Sequence, residues 1–512
     1  MKKLLFLLLI PAAVPAQNTV GNASAFRLNI AATADPITID GDLTEPVWQT
    51  AEMATDFMLN APVDDQPASK RTEVRMTYNH QFIYLAAVCF DDEKHVIETL
   101  KRDSYGDSDE FALLLDPVCQ RANGYGFGVN VMGAQTEVLL APNDADESWD
   151  NRWHVEVRRF DDRWTLEMAI PFKSLRYRED LTEWRINFIR TEPGANEQHC
   201  WASVPRQFEV IDLGYFGTLV WDKAPPKTGS NISVIPYVTS SVHQDYPAND
   251  PAKGDWSIGG DAKIAVTPTL NLDLTLNPDF SQVEVDAQVT NLTRFSIFFP
   301  ERRQFFIENG DVFFNSGEFN DQPFFSRRIG LDEAGRTVPI LYGARLTGNL
   351  TDKLRIGAFN MHARGNDQRL GQNYSALTFQ QRLWKRSSVK GIFLNRQSYD
   401  GSESVRGDYG RNVGGEFNYN TPDGKWQALG GYMHSLKNGF SDKNGQIYGR
   451  LAYAGTQFRT FLEVQNMGEN YFADMGFNPR IENYNPETDE VVRVGFTQFS
   501  NMMDYYTYPE KG

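Results

Sequence analysis

Much of the second half of the chain consists of short segments in which apolar and polar residues alternate. In Leu270–Leu276 every second residue is leucine and the residues between are polar. Because successive side chains on a strand point to opposite faces, this segment has one apolar face and one polar face. Residues 260–266 precede it, and a turn at residues 267–269 separates the two. The pattern predicts an amphipathic β-hairpin.

Similar segments recur from residue 232 to the end of the chain. Strands are predicted at residues 232–242, 258–266, 270–276, 340–347, 354–362, 374–383, 389–397, 412–420, 426–435, 447–454, 456–464 and 491–499. Many are about ten residues long, the length of a tilted strand that crosses a bilayer. Residues 230–512 are therefore predicted to form an antiparallel transmembrane β-barrel, and a soluble β-sheet domain or solenoid is the alternative.

The N-terminus has the features of an export signal. Lys2 and Lys3 are followed by an almost wholly apolar run over residues 4–14, and small residues end at Ala16. Residues 1–16 are predicted to be a signal peptide. No other stretch approaches a transmembrane helix, so membrane insertion would have to use strands. The predicted location is the outer membrane, with the N-terminal domain either periplasmic or surface-exposed.

Residues 25–222 are rich in strand signals of a different kind. Residues 82–90 form a nearly continuous apolar run, as expected for a strand buried on both faces. Further strands are predicted at residues 111–115, 127–131, 136–140, 153–159 and 164–170. This spacing predicts a β-sandwich, and residues 223–229, with two prolines, read as a linker. The whole chain is therefore predicted to be all-β.

Several motifs follow one another in this first domain. Residues 37–48 read ITIDGDLTEPVW, an Asp-Asp pair follows the strand at 82–90, residues 107–111 read DSDEF, residues 115–117 read LDP, and residues 164–172 read WTLEMAIPF. In this order they resemble carbohydrate-binding module family 9. The resemblance implies a β-sandwich related to sugar-binding modules, with a poly- or oligosaccharide as partner.

Three tryptophans are candidate carbohydrate-binding residues: Trp149, Trp153 and Trp201. An aromatic ring can stack on the apolar C–H face of a pyranose while polar groups bond its hydroxyls. Trp149 is the preferred candidate because it lies in a loop-like, acidic segment. The alternative is that these rings belong to the core, particularly Trp153, which falls inside a recurring motif.

A cluster of acidic residues raises the question of a metal. Calcium takes several oxygen ligands, although the spacing here is not that of an EF-hand loop. A solvated acidic loop is the alternative reading. The candidate ligands are Asp103, Asp107, Asp109, Glu110 and Asp116.

Residues 277–326 are unusually rich in phenylalanine: 11 of the 34 in the chain lie between Phe280 and Phe325. The segment resembles the signature of a family of exported proteins of undefined function, in which a module like the one above precedes a membrane barrel. It is predicted to fold into the barrel lumen. There Glu301, Arg302, Arg303 and Glu308 would line a constriction with paired charges. The alternative is a docking surface for the first domain.

The composition of the chain restricts the kinds of partner it can bind and the chemistry of its cysteines. The net charge of −17 argues against nucleic acid. The cysteines Cys89, Cys119 and Cys200 lack metal-ligand spacing, so either one pair forms a disulfide or all three are small buried residues. The last five residues, YPEKG, read as a loop where a barrel would end on a strand, so the native chain is expected to continue.

No sequence motif for catalysis is present, neither a nucleophile elbow, a zinc-binding HExxH, a Walker loop nor a dinucleotide fingerprint. The leading hypothesis is an outer-membrane protein that captures or passes a glycan through its N-terminal module. A surface glycoside hydrolase is the second hypothesis, resting on family association. A structural or assembly protein that docks a partner is the third.

Overall fold

The computed structural model describes most of the chain. The described residues are 26–64, 66–91, 95–103, 108–121, 123–141, 144–147, 149–227, 232–244, 251–267, 269–278, 290, 297–299, 301–307, 309–313, 321–331, 338–351, 353–365, 369–384, 386–478, 480–485, 488 and 490–507. The predicted signal peptide, the last five residues, Asp107 and Glu308 lie outside them.

Among its described residues the N-terminal region has fourteen strands and one short α-helix. The strands are β1 (Arg27–Ile30), β2 (Met53–Ala54), β3 (Met58–Ala61), β4 (Thr72–Tyr78), β5 (Phe82–Phe90), β6 (Glu110–Asp116), β7 (Gly124–Asn130), β8 (Gln135–Ala141), β9 (Asp144–Asp146), β10 (His154–Arg159), β11 (Arg163–Pro171), β12 (Glu183–Glu192), β13 (Glu197–Cys200) and β14 (Gly217–Trp221). Helix α1 (Pro46–Thr50) begins at a proline, which is favourable at a first helical position.

These strands form two sheets that pack face to face as a β-sandwich. One sheet has the order β1-β14-β12-β6-β7-β8-β9, with β13 and β3 attached to β12, and the other has the order β10-β11-β5-β4-β2. Strand β5 lies between β4 and β11, which explains its continuous apolar run. Their shared core contains Phe111 and Phe188 from the first sheet and Leu85 and Leu166 from the second.

In the part of the C-terminal region that the structure describes there are fourteen further strands. They are β15 (Ile232–His243), β16 (Lys253–Thr267), β17 (Leu270–Leu276), β18 (Ile340–Asn349), β19 (Leu354–Ala363), β20 (Gly371–Leu383), β21 (Ser387–Asp400), β22 (Glu403–Asn420), β23 (Trp426–Lys437), β24 (Gly445–Ala454), β25 (Phe458–Met467), β26 (Glu482–Asn485), β27 (Glu490–Arg493) and β28 (Phe496–Tyr505). A second short helix, α2 (Gln304–Ile307), precedes β18.

Twelve of these strands form one antiparallel sheet in chain order, from β15 through β25 to β28. The hairpin predicted at residues 260–276 is present as β16 and β17. One predicted strand was wrong: residues 491–499 break before Phe496, so β27 pairs with β26 and β28 joins the large sheet. Among the described residues β15 and β28 are edge strands that do not pair with each other, so the predicted closed barrel is not observed.

The two faces of this sheet differ in exposure: the exposed face is apolar, and the covered face mixes polar with apolar side chains. On one face Leu377, Phe393 and Val413 lie directly opposite one another on neighbouring strands and are 58%, 40% and 43% exposed. On the other face Asn412 and Ser435 are paired and each is 1% exposed. The exposed face is thus apolar at positions where the covered face carries polar side chains.

The covered face is occupied by the phenylalanine-rich segment. Phe306, Phe313 and Phe324 pack around Phe359 of β19, with ring centroids 5.9 to 6.3 Å from it. A second inserted loop joins them, since the backbones of Gln322 and Phe477 form a β-bridge. The described part of residues 301–331 therefore packs onto the inner, partly polar face of the sheet.

Cys89, Cys119 and Cys200 are all free thiols, so of the two alternatives the disulfide is not observed; Cys89 and Cys200 are buried and Cys119 is half-buried. Burial raises the pKa of Cys89 to about 12. In the part of the chain that the structure describes, no helix has both the length and the apolar composition needed to cross a bilayer.

Candidate functional site

The three tryptophans singled out from the sequence are all buried in the sandwich. Trp149, Trp153 and Trp201 are 6%, 3% and 5% exposed. The Trp149 ring packs against Tyr125 and Phe127, with centroids 5.2 and 5.9 Å apart. Stacking on a sugar requires an open ring face, and these rings are covered by other aromatic residues.

The other two tryptophans are fixed by equally internal contacts. Trp153 packs edge-on against Phe127 and its Nε1 donates a 3.1 Å hydrogen bond to Glu137. Trp201 contacts Phe188, with centroids 5.5 Å apart. The structure therefore places all three in the core, the alternative stated for them. Their role in carbohydrate binding stays a prediction that the burial does not favour.

Two of the motifs behind the family resemblance meet at one buried carboxylate, that of Glu167. Glu167, in the middle of β11, accepts hydrogen bonds from Trp48 Nε1 at 2.8 Å and from the backbone N–H groups of Asp40 and Gly41 at 3.0 and 2.9 Å. Burial raises the pKa of Glu167. Hydrogen bonds to Glu167 thus join the opening motif to the WTLEMAIPF motif. Sequence reasoning found both motifs but not the contact that joins them.

The predicted calcium ligands do not converge. Asp109 precedes β6 and Asp116 ends it, so at about 3.3 Å per residue they lie roughly 20 Å apart. The Asp116 carboxylate instead accepts backbone N–H bonds from Val118 and Arg121 in the turn that follows. Asp107 lies outside the described residues, and calcium binding stays a prediction.

Asp109 does belong to a different group of ligand-type side chains. Its carboxylate, that of Asp91 and the His95 imidazole place one atom each within 4.8 Å of the others. Asp91, however, also accepts a 3.1 Å hydrogen bond from Arg190 and contacts Lys70. These cations already compensate much of the negative charge that would attract a metal ion.

The same cluster continues as a buried ion-pair network at this end of the sandwich. Lys70 bonds Glu192 at 2.8 Å, and Arg190 contacts the same carboxylate. Burial raises the pKa of Glu192. For Lys70, burial opposes the charge, but the contacts with Asp91 and Glu192 outweigh it and raise its pKa. Asp91, Arg190 and Glu192 are 1–2% exposed as side chains and serve the fold, whereas the Lys70 side chain, at 25%, lies at the edge of the network.

A groove lies at the other end of β4, between the segment that follows β1, helix α1 and the end of β14. Its volume is about 750 Å³, within the range of small-molecule sites. Ile30, Val47 and Met76 form part of its apolar floor. The polar residues that line it are Asn29, Thr33, Asp35, Thr50, Glu52, Thr77 and Asp222.

Two of the carboxylates in the groove are held in place. Glu52 accepts hydrogen bonds from the backbone N–H of Asn29 at 3.3 Å and from its side-chain amide at 2.7 Å. Asp222 accepts the Tyr78 hydroxyl, which together with burial raises the pKa of Tyr78. Carboxylates, an amide and hydroxyls over an apolar floor suit a polyhydroxylated ligand. No sequence motif marked these residues, because the chain brings them together from four separate segments.

The charged residues predicted to line a constriction are mostly satisfied within their own segment. Arg303 donates to Glu301 through Nε at 2.9 Å and Nη2 at 2.7 Å, and to the carbonyl oxygens of Ser326 and Ile329. The pair therefore clamps residues 301–303 onto residues 326–329. Arg302 is half-buried, and Glu308 lies outside the described residues. The constriction itself stays a prediction.

Comparisons with known proteins bear on both regions. Residues 228–360 match a family described as a domain of unknown function (DUF5916). This match overlaps the segment that resembles a family of undefined function. A search among curated proteins found no match.

Among solved structures, the chain is similar to a family 9 carbohydrate-binding module (CBM9) from Caldicellulosiruptor kristjanssonii in complex with cellotriose, at 13% identity and a TM-score of 0.29, over 40% of this chain and 96% of that one. A CBM9 structure from the same organism in complex with glucose gives 12% identity and a TM-score of 0.29, over 40% of this chain and 100% of that one. A Bacteroides uniformis ATCC 8492 protein proposed to bind carbohydrate gives 14% identity and a TM-score of 0.31, over 38% and 98%.

Proposed function

We propose that this is an exported outer-membrane protein in which a sheet of twelve or more strands is embedded in lipid and the N-terminal sandwich binds carbohydrate. The membrane part rests on one observation above all, the exposed apolar face of the large sheet. In water, an exposed row such as Leu377, Phe393 and Val413 would be an aggregation hazard. Facing lipid, the same row is what a membrane strand requires.

Aromatic residues at one end of the sheet support the same proposal. Trp384 and Trp426 are 72% and 47% exposed. Trp384 contacts Tyr419, and Trp426 contacts Tyr453, with centroids 6.1 and 4.9 Å apart. Membrane barrels carry such aromatic girdles at the level of the lipid headgroups.

The carbohydrate part rests on the groove that contains Glu52 and Asp35. It combines an apolar floor with several hydrogen-bonding groups, the combination by which proteins recognise sugars. The family 9 resemblance of the motifs around Trp48 and Glu167 points to the same class of ligand. Glycan capture is therefore favoured over hydrolysis, for which the sequence offers no catalytic motif.

Membrane insertion is tested by expressing the full chain in a Gram-negative host and separating inner from outer membranes. The proposal expects the protein in the outer-membrane fraction, resistant to extraction by salt or alkali. Recovery in the aqueous periplasmic fraction would reject the membrane part. Strand insertion is checked further by a heat-dependent change in electrophoretic mobility, which folded membrane barrels show and peripheral proteins do not.

Carbohydrate binding is tested on the full-length protein in detergent with a panel of oligosaccharides. The panel includes cellotriose and glucose, the sugars named for the modules above. Saturable binding that Asp35→Asn or Glu52→Gln weakens at least several-fold would support the groove. The control is Asp161→Asn, an exposed acidic residue in the β10–β11 turn.

The other outcomes of this experiment discriminate the alternatives. Binding that both substitutions leave unchanged would place the sugar site elsewhere. No binding to any glycan would favour a partner-docking role. Release of reducing ends from a polysaccharide would favour the hydrolase hypothesis.

A further inference from the structure

The two ends of the twelve-stranded sheet differ in how their strands are connected. At one end the connections are short turns: residues 268–269, 350–353, 384–386, 421–425 and 455–457. At the other end they include the long segments 277–339 and 468–495. The hairpin of β21 and β22 turns tightly at that second end, but its strands are among the longest in the sheet. We call these the short-turn end and the long-loop end.

The sandwich contacts the short-turn end. Arg386, in the β20–β21 turn, donates to both carboxylate oxygens of Asp212 at 2.7 and 3.1 Å. The Arg386 guanidinium also lies over the rings of Phe208 and Tyr215, 5.9 and 5.8 Å from their centroids. Asp212 is itself fixed, because it accepts the backbone N–H of Gly214 at 2.7 Å.

Neighbouring turns add contacts of the same kind. Arg459, next to the β24–β25 turn, donates to the carbonyl oxygen of Arg206 at 3.1 Å, and Arg382, at the end of β20, donates to that of Gln120. Gly424, in the β22–β23 turn, lies so close to Phe208 that an added Cβ would come within 2.8 Å of its ring. Three successive turns of the sheet thus contact residues 206–215 of the sandwich.

The linker agrees with this placement. Residues 222–231 connect the sandwich to β15, whose first residue, Ile232, pairs with Ile264 near the β16–β17 turn. The chain therefore enters the sheet at its short-turn end. The covalent connection and the side-chain contacts place the sandwich at the same end.

Bacterial outer-membrane barrels have short periplasmic turns and longer extracellular loops. We infer that the sandwich faces the periplasm, docked under the sheet by Arg386 on Asp212. This inference rests on the proposed outer-membrane function and decides a question that the sequence left open. The ligand of the groove would accordingly be a periplasmic glycan, either an oligosaccharide that has already crossed the outer membrane or a cell-wall strand. Extracellular polysaccharide would not reach it.

The inference is tested by cysteine accessibility on intact cells that express the full chain. The label is a maleimide attached to a polyethylene glycol too large for outer-membrane pores. Asp161→Cys reports on the sandwich, and Ser402→Cys reports on the β21–β22 hairpin tip at the long-loop end; both positions are exposed. The background is Cys119→Ser, since Cys119 is the native cysteine that is not fully buried.

The expected result is labelling of the Ser402→Cys protein on intact cells, and labelling of the Asp161→Cys protein only after the outer membrane is permeabilised. Labelling of Asp161→Cys on intact cells would overturn the inference, whatever Ser402→Cys does. Labelling of neither variant on intact cells would also count against it, because the long-loop end should face outward. Membrane fractionation of the same cells keeps the two proposals apart: protein outside the outer-membrane fraction rejects the proposed function itself.

Discussion

The two regions of this protein use the same amphipathic strands in opposite ways. In the sandwich, apolar faces meet in a closed core, where Phe111 and Phe188 are fully buried. In the large sheet the exposed face is the apolar one, and polar residues such as Asn412 and Gln465 are buried on the inner face. Alternation along a strand therefore reveals that one face is apolar, but not whether that face meets a core, water or lipid.

The arrangement of buried polar side chains also differs between the sandwich and the large sheet. In the sandwich some are single groups held by specific partners, as Glu167 is by Trp48 and two backbone N–H groups, and others form a local ion-pair network, as Asp91, Arg190 and Glu192 do. In the sheet they form a layer across neighbouring strands, and side chains of the inserted segments complete it, as Asp321 does by accepting a 2.8 Å bond from Gln465. A polar layer of that kind needs covering segments, which the phenylalanine-rich stretch provides.

The largest effect is expected in the sandwich core. Phe188→Ala removes a ring that stacks on Phe111, with centroids 6.2 Å apart, and contacts Trp201. Truncating a buried aromatic leaves a cavity, and the expected loss is about 3–5 kcal/mol of unfolding free energy. Denaturant titration monitored by tryptophan fluorescence measures it. Leu100→Ala, at a residue 69% exposed, should change stability by less than about 0.5 kcal/mol.

The second prediction tests the outward face of the sheet. Phe393→Arg places a charge in the middle of β21 on the exposed face. If that face meets lipid, the substitution should cost about 2–4 kcal/mol for folding into vesicles. The same change at the hairpin tip, Ser402→Arg, should cost close to nothing. Equal stability of the two variants in vesicles would contradict a lipid-facing surface at Phe393.

Only part of the fold and of the candidate site could be predicted from the sequence. Strict alternation was enough to find β17 and most of the other strands, because the period of two depends only on local geometry. It could not show that Trp149 packs on Phe127, or that Glu52 and Asp222 share a groove, because those contacts join distant segments. Trp149 was expected to be open because its neighbours in the chain are acidic, but its neighbours in space are aromatic.

The third prediction concerns the half-buried carboxyl group of Glu110 in the sandwich. Burial raises the pKa of Glu110 to about 7, although the Thr136 hydroxyl donates to its carboxylate. In the unfolded chain the pKa of a glutamate is about 4.3, so between these values only the folded state holds the proton. The protonated carboxyl therefore contributes stability at low pH that is lost as the pH rises towards 7.

The expected loss for Glu110 is about 3 kcal/mol between pH 4.5 and pH 7. Glu110→Gln should flatten this part of the stability–pH profile, because glutamine cannot ionise. Denaturant titrations of both proteins across that range measure it. The same slope in both would show that Glu110 is not the responsible group.

The smallest predicted effect lies where the two regions meet. Gly424 and Gly401 both have positive φ, +69° and +58°, so alanine at either position should cost about 1 kcal/mol of backbone strain. An added Cβ at Gly401 would meet nothing within 4 Å, whereas at Gly424 it would press on Phe208 of the sandwich. The difference between Gly424→Ala and Gly401→Ala therefore isolates the contact between sandwich and sheet.

If docking matters in solution, Gly424→Ala should increase proteolysis of the linker at residues 223–229, and Gly401→Ala should leave it unchanged. The effect should be modest, because a phenylalanine ring can shift by a few tenths of an ångström and the Arg386–Asp212 pair remains. Adding Arg386→Ala to Gly424→Ala removes that pair and should increase cleavage further. Unchanged cleavage in the double variant would mean that these contacts do not hold the sandwich against the sheet, and that only the linker joins the two regions.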